Sequence, residues 1–197
     1  GVLRREDLAA YQARLAEPLV GTYRGQRICV PSSGCAGPTT IETLNIYENV
    51  DVAAHDHGSV DRVHAFLWAA ELAQADRFAF MSDPARSDAP WSVLTSKDYA
   101  HMRFGSLDPA AAPHEYEAGD ARAYADDTQA VARAKSETST THLCTADAEG
   151  MVVSLTNTIG GAWGSEIVPE GTGVVWNNGM WWFDPVPGRP NSIKPGA

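Results

Sequence analysis

The spacing of apolar side chains changes several times along the chain. Leu8-Ala9-Ala10-Tyr11-Gln12-Ala13-Arg14-Leu15 carries helical spacing and must end before Pro18. From Leu19 to Val30 the strand formers Tyr23, Ile28 and Val30 surround Gly25, which predicts two extended stretches joined by a turn. The run Pro31-Ser32-Ser33-Gly34-Cys35-Ala36-Gly37-Pro38 reads as a loop without a phosphate-loop lysine. Thr39 and Thr40 are then placed to cap a helix through Ile41, Leu44 and Tyr47. Ser59 and Asp61 open the strongest helix, with Val63, Phe66, Leu67, Ala70 and Ala73 at three- and four-residue steps. It stops near Ser82-Asp83-Pro84.

Residues 83–137 are poorer in large apolar groups and rich in Asp, Ala, Pro and Ser. Stretches such as Asp108-Pro109-Ala110-Ala111-Ala112-Pro113 and Ala118-Gly119-Asp120 predict a long exposed connector. Residues 138–197 return to alternating β patterns, hold Trp163, Trp176, Trp181 and Trp182, and end in a Pro/Gly-rich tail. If extended, Trp181 and Trp182 point to opposite faces, one toward a core and the other toward a cleft.

The segment from Thr140 to Thr158 reads as a hairpin: Thr140-Thr141-His142-Leu143-Cys144-Thr145-Ala146, a turn over Asp147-Ala148-Glu149-Gly150, then Met151-Val152-Val153-Ser154-Leu155-Thr156-Asn157-Thr158. A three-residue loop of Ala148, Glu149 and Gly150 puts glycine at the left-handed bulge position and Asp147 opposite Met151. Thr140 then lies opposite Thr158, whereas a loop one residue different pairs Thr140 with Asn157. Two facing hydroxyls are ordinary strand neighbours; they also suit a nucleophile and its hydrogen-bonding partner. A hydroxyl needs a proton acceptor to become reactive, and a free α-amino group on the same residue supplies one if the chain is cut between Ser139 and Thr140.

Composition narrows the function classes. The 197 residues are 44% apolar and 20% charged, enough for a sizeable core and unlike a disordered chain. A net charge of -10 argues against a nucleic-acid surface. No apolar run approaches the roughly 20 residues that cross a bilayer, so no membrane span is expected in this chain. Residues 1–7 contain no signal-peptide core, and without an initiating Met the start reads as the interior of a longer chain, which leaves the compartment open. Cys29, Cys35 and Cys144 are too few for a disulfide framework and read as reduced, partly buried thiols. His55-Asp56-His57 with His64 and Asp76 reads as a polar loop rather than a metal cluster. His142 and Cys144 share a strand face, but their spacing alone does not turn the imidazole toward the sulfur. His142 is expected to pack or to support the site.

Thr140-Thr141-His142, then Ala146-Asp147, Gly150, Val153-Ser154-Leu155-Thr156 and Thr158, resemble the start of the small subunit of γ-glutamyltransferases, which are N-terminal-nucleophile hydrolases. Gly164-Ser165, Pro169, Gly171-Thr172-Gly173, Asn177-Asn178 with Met180, and Pro187-Gly188 with Pro190-Asn191-Ser192 follow in the same order. Upstream, Glu6-Asp7-Leu8 with Tyr11, Glu17-Pro18-Leu19, Tyr23-Arg24-Gly25, Pro31-Ser32-Ser33-Gly34, Ala75-Asp76-Arg77 and Ser96-Lys97-Asp98-Tyr99 resemble the end of the large subunit. The resemblance implies an α+β fold, an αββα sandwich of which this chain is part. Residues 1–139 would come from the large subunit and residues 140–197 from the small one, both cut from one precursor. It also implies Thr140 as nucleophile, Thr158 as its partner, and no cofactor or metal. The substrate would be a small-molecule γ-glutamyl amide, the acyl group passing to water or to an amine acceptor.

The chain departs from the family where substrate is read. Gly160 stands where the family has Asn, and Asn177-Asn178-Gly179-Met180-Trp181-Trp182-Phe183 replaces Asn-Asn-Gln-Met-Asp-Asp-Phe. Gly160, Asn178, Gly179 and Trp182 are therefore the candidate substrate-binding positions. Trp182 takes the place of the acid that holds the glutamyl ammonium, and Gly179 that of a Gln donor. A related acylase acting on glutaryl or oxamate-type amides is the alternative, and an inactive fragment that keeps the fold is a third reading. The chain stops where the family continues toward Pro-Leu-Ser-Ser-Met and the glycine pair of its oxyanion hole. The large-subunit Arg for the substrate α-carboxylate is absent too. The resemblance thus implies the middle of a longer enzyme, weakly active or inactive alone, since losing one oxyanion donor costs about 10²–10³ in rate.

Overall fold

A computed structural model describes residues 4–32, 35–83, 88–107, 116–121 and 140–193. The chain is α+β and divides into two compact units, Gly1–Ala130 and Val131–Ala197. Ser33-Gly34, the stretch Asp108–Pro113 and the Ser139 side of the proposed cut lie outside the described residues.

The first unit opens with α1 (Arg5–Ala10), where the Asp7 carboxylate accepts the Arg4 backbone N–H at 2.8 Å. The expected helix over Leu8–Leu15 is shorter and begins earlier. Leu8, Tyr11 and Leu15 are all exposed, so no burial extends the helix beyond its first turns. Strands β1 (Leu19–Tyr23) and β2 (Gln26–Val30) pair antiparallel as expected, from Leu19 opposite Val30 to Tyr23 opposite Gln26. Their two-residue turn, Arg24-Gly25, has positive φ at both positions, the geometry that matches strand twist. Glu48 holds this turn through the Arg24 backbone N–H and Lys97 Nζ, and Lys97 also donates to the Thr22 carbonyl at 2.7 Å.

Helix α2 (Gly37–Tyr47) starts before the expected threonine caps. Pro38 occupies its first turn, and Thr40 lies inside, its hydroxyl bonding back to the Ala36 carbonyl at 3.0 Å. Helix α3 (Val60–Phe80) is capped as expected by Ser59, whose Oγ accepts the Arg62 N–H. The face it buries differs from the expected one. Trp68, Ala69, Leu72, Ala73, Asp76, Ala79 and Phe80 turn inward, while Val63 and Leu67 remain 50% and 51% exposed. Apolar residues lie on more than one side of this helix, so the face is chosen by what packs against it.

Residues 88–107 overturn the expectation of an exposed connector. Trp91–Leu94 form α4 and Lys97–Gly105 form α5, and Leu94, Tyr99 and Ala100 are almost completely buried. Asn45 Nδ2 bonds the Thr95 carbonyl at 2.8 Å, and Arg103 Nη2 bonds the carbonyls of Leu72 and Glu117. Farther on, Ala121 is fully buried with Phe80, Leu94 and Tyr99. The helices are too short and too polar in mean composition to announce themselves as core.

At the meeting of α2, α3 and α5 sits a buried polar group. The fully buried Asp76 carboxylate accepts from Tyr99 Oη at 3.0 Å and from the Gly119 backbone N–H. Arg103 Nε lies 3.0 Å away as an ion pair whose N–H is not aimed at the oxygen. Burial, and then the neighbouring Asp76, push the Glu42 carboxyl well above the ordinary glutamate range; burial likewise pushes the Tyr99 phenol up. A raised carboxyl pKa stabilises the fold below the unfolded-state value and loses that contribution as pH rises through the folded one. Glu42→Gln, permanently neutral, is therefore expected to match wild type in stability near pH 4 and to become progressively more stable than wild type above it. Urea midpoints across pH 4–8 check this.

The second unit contains β3 (Thr140–Ala146) and β4 (Val152–Thr158), paired antiparallel with Thr140 opposite Thr158 and Ala146 opposite Val152. The loop is the three-residue one: Asp147 N–H bonds the Met151 carbonyl at 3.0 Å, and Gly150 carries φ +88°. The β pattern expected beyond the hairpin is replaced, among the described residues, by turns and by a 3-10 turn at Gly179–Trp182. That segment is tied by Asn178 N–H to the Ile159 carbonyl at 3.0 Å and by Ser165 N–H to the Trp176 carbonyl at 2.8 Å.

Candidate active site

Thr140 is the first residue of β3 and Thr158 the last of β4, so the hairpin register sets their hydroxyls side by side at one end of the ribbon. Thr140 Oγ1 donates to Thr158 Oγ1 at 3.2 Å. Thr158 Oγ1 also accepts the Gly160 backbone N–H at 3.0 Å. The receiving oxygen is thus fixed by the backbone just beyond the strand, and the exposed Thr140 oxygen is held by its own proton. An attacking hydroxyl needs this kind of orientation before a base removes that proton.

The same strand face continues as a polar row. His142 Nδ1 lies 2.7 Å from Thr156 Oγ1, and its Nε2 lies 3.2 Å from Ser154 Oγ and 3.3 Å from Cys144 Sγ. The imidazole is therefore turned toward the sulfur, which residue spacing alone leaves undecided. The cross-strand hydroxyls of Thr156 and Ser154 set the ring, and those partners become visible only once the register is known.

The four candidate substrate positions lie along one continuous segment. Asn178 Oδ1 accepts from Gly161 N–H at 2.9 Å and from Trp181 Nε1 at 3.1 Å. Gly160 has φ +91°, and a β-carbon there would stand 2.0 Å from Asn178 Oδ1, so a family-type Asn at position 160 is excluded while Asn178 keeps this place. Gly179 is buried, and a β-carbon on it would come 3.1 Å from the Trp182 ring. A side chain at 179 would therefore press on both the Asn177 carboxamide and the Trp182 ring. Trp181 and Trp182 do not alternate across a strand. Their rings sit 5.6 Å apart on the 3-10 turn, with Trp182 45% exposed. Trp163 is exposed as well.

The remaining candidates separate. Asp76 is taken up by Arg103 and Tyr99, His55 Nδ1 stands 3.8 Å from Asp61, and the His64 ring lies 4.0 Å from that of Trp68. Among the described residues no three His, Cys, Asp or Glu side chains gather as a metal site. All three cysteines are unpaired, but Cys29 and Cys144 are exposed rather than partly buried; Cys35 accepts the Gly37 N–H at the start of α2. Both thiols lie on strands of two-stranded ribbons, which leaves them exposed. No helix among the described residues is long and apolar enough to cross a membrane.

Known proteins resemble the chain over its whole length. It is 38% identical over 197 residues to the Acylase ACY 1 proenzyme of Pseudomonas sp. (strain SE83), covering all of this chain and 33% of that protein. To the Glutathione hydrolase proenzyme of Escherichia coli (strain K12) it is 32% identical over 194 residues, covering 97% of this chain and 32% of the other. It therefore spans about a third of the length of these curated relatives. The crystal structure of cephalosporin acylase from Bacillus halodurans superposes with a TM-score of 0.80 at 28% identity, over all of this chain and 32% of that one. The fold is thus α+β of the N-terminal-nucleophile hydrolase type that the resemblance implies. Residues 1–197 all match the family described as Gamma-glutamyltranspeptidase, and the chain belongs to that family.

Proposed function

We propose that this chain carries the nucleophile of a self-processing amide hydrolase and acyltransferase that cleaves γ-glutamyl amide bonds through a threonyl ester. The observation that carries it is the Thr140–Thr158 hydroxyl pair, 3.2 Å apart at the strand end. In processing, Thr140 Oγ attacks the carbonyl carbon of Ser139. The C–N bond breaks, an ester forms, and water hydrolyses it, leaving Thr140 with a free α-amine. In turnover that amine accepts the Thr140 hydroxyl proton as Oγ attacks the amide carbonyl of the donor. The leaving amine departs with a proton, and water or an acceptor amine resolves the acyl-threonine. Thr158 holds Thr140 in line, and Gly160, Gly179 and Trp182 form the donor side. Residues 1–139 belong to the large subunit and 140–197 to the small subunit of one precursor. Both curated relatives being named proenzymes supports this. N-terminal sequencing and intact mass of the full-length product test the reading: the light chain should begin at Thr140, and any other start refutes it.

A second reading of the acyl group is favoured by Trp182 and Gly179. With Trp182 where the family has an acid, a donor ammonium lacks its carboxylate partner, a charge-assisted bond worth about 1.5–3 kcal/mol, or roughly ten- to a hundred-fold in affinity. A glutaryl or oxamate-type amide has no such ammonium to leave unpaired. A panel of γ-glutamyl, glutaryl and oxamic anilides decides. On the acylase reading kcat/KM for the glutaryl or oxamic donor exceeds that for the γ-glutamyl donor about tenfold or more; the reverse order assigns the γ-glutamyl group.

A further inference from the structure

Gly160 and Asn178 form a contact that the donor side does not require. The Asn178 carboxamide oxygen is engaged by two donors at once, the Gly161 backbone N–H at 2.9 Å and the Trp181 indole at 3.1 Å. It fills the space where any side chain at residue 160 would begin. One residue earlier, the Gly160 N–H is bonded to Thr158 Oγ1, and Thr158 Oγ1 receives the Thr140 hydroxyl. The Asn178 backbone N–H closes the ring on the Ile159 carbonyl at 3.0 Å. The loop leaving β4 is therefore clamped at residues 159 and 161, on either side of the N–H that orients Thr158.

We infer that Asn178 is a positioning residue for Thr140, acting through the Gly160-Gly161 backbone and Thr158 rather than by binding the acyl donor. This rests on the reading of Thr140 as nucleophile. Three features of the geometry carry it. The carboxamide oxygen is turned onto the loop, where it accepts from the Gly161 N–H and the Trp181 indole. Gly160 has φ +91°, where other residues are strained, and a β-carbon there would meet the Asn178 carboxamide oxygen at 2.0 Å. The Gly160 N–H, whose direction this conformation sets, makes the bond that fixes Thr158. The Asn178 side chain fills the space beside Gly160 and bonds the next residue's N–H, which holds the loop.

Displacing a nucleophile's partner by a fraction of an ångström acts on the rate of attack, not on ground-state binding. In the full-length protein Asn178→Ala should lower kcat about 10- to 100-fold and slow cleavage before Thr140 by a similar factor, with KM changed less than about threefold. Asn178→Asp, which keeps an oxygen for both donors, should retain most of kcat. Trp181→Phe removes one of the two donors without touching the Gly161 bond, so it should lower kcat a few-fold at unchanged KM. That variant keeps the test open should Asn178→Ala fail to fold. A rise in KM at unchanged kcat in Asn178→Ala would make Asn178 a donor-binding residue and overturn the inference. So would wild-type kcat in both Asn178→Ala and Trp181→Phe. Thr140→Ala runs alongside: if it still self-cleaves, the nucleophile reading fails, whereas uncut Thr140→Ala beside fully active Asn178→Ala defeats the positioning role alone.

Discussion

Thr140→Ala in the full-length precursor should give one uncut polypeptide and amide hydrolysis lowered by at least about 10³-fold. On the proposed mechanism the oxygen at Thr140 does two things: it attacks the preceding carbonyl once, and the donor at every turnover. Alanine keeps the strand residue, the β-carbon and the register with Thr158, so the loss isolates the hydroxyl from the fold. Thr140→Ser restores the oxygen without the methyl group that restricts its rotamers, and should recover cleavage at a reduced rate. Thr158→Val removes the partner hydroxyl of the 3.2 Å bond and with it the acceptor of the Gly160 N–H, and about 10- to 100-fold of rate is expected to go with it. Gel mobility of the precursor, mass of the light chain and initial rates on one anilide donor measure all three. Normal processing of Thr140→Ala would end the nucleophile assignment.

The second large effect concerns stability. Asp76→Ala is expected to cost about 3–5 kcal/mol, because it strands a buried guanidinium rather than merely deleting a contact. Arg103 has a side chain only 7% exposed, and the Tyr99 hydroxyl and the Gly119 N–H lose their Asp76 acceptor together. Asp76 sits on α3 and its partners on α5 and the 116–121 segment, so the loss loosens every element that this residue joins. Replacing Asp76 and Arg103 together by Leu and Met should cost less than Asp76→Ala alone, since no charge then remains unpaired in the core. Urea unfolding at pH 7, followed by tryptophan fluorescence, gives both values. A double variant less stable than Asp76→Ala would contradict the argument.

Local chemistry made some parts of the molecule readable from the residues alone. Arg24-Gly25 and Ala148-Glu149-Gly150 fix short turns, and a short turn leaves a hairpin almost no freedom of register. The pairing of Thr140 with Thr158 follows from Gly150 being able to take φ +88°. Ser59 marks the start of α3 because a hydroxyl there satisfies an otherwise unpaired N–H. The ordered motifs on either side of residue 140 were equally open to reading, and the family they resemble matches the whole chain.

Long-range packing decided the rest. Helix α3 carries apolar side chains on more than one side, so only its neighbours α2 and α5 select Trp68 and Leu72, with the expected Ala73, over Val63 and Leu67. Tyr99 and Arg103 lie in a stretch whose average composition is that of a linker, yet they are buried because Asp76, more than twenty residues earlier, meets them. Trp181 and Trp182 share a 3-10 turn instead of alternating across a strand, and Asn178 holds the loop that sets Thr158. A sequence states which bonds each segment can make with its near neighbours. Which distant group arrives to complete them depends on the folded chain, because burial and charge pairing are properties of the space between elements.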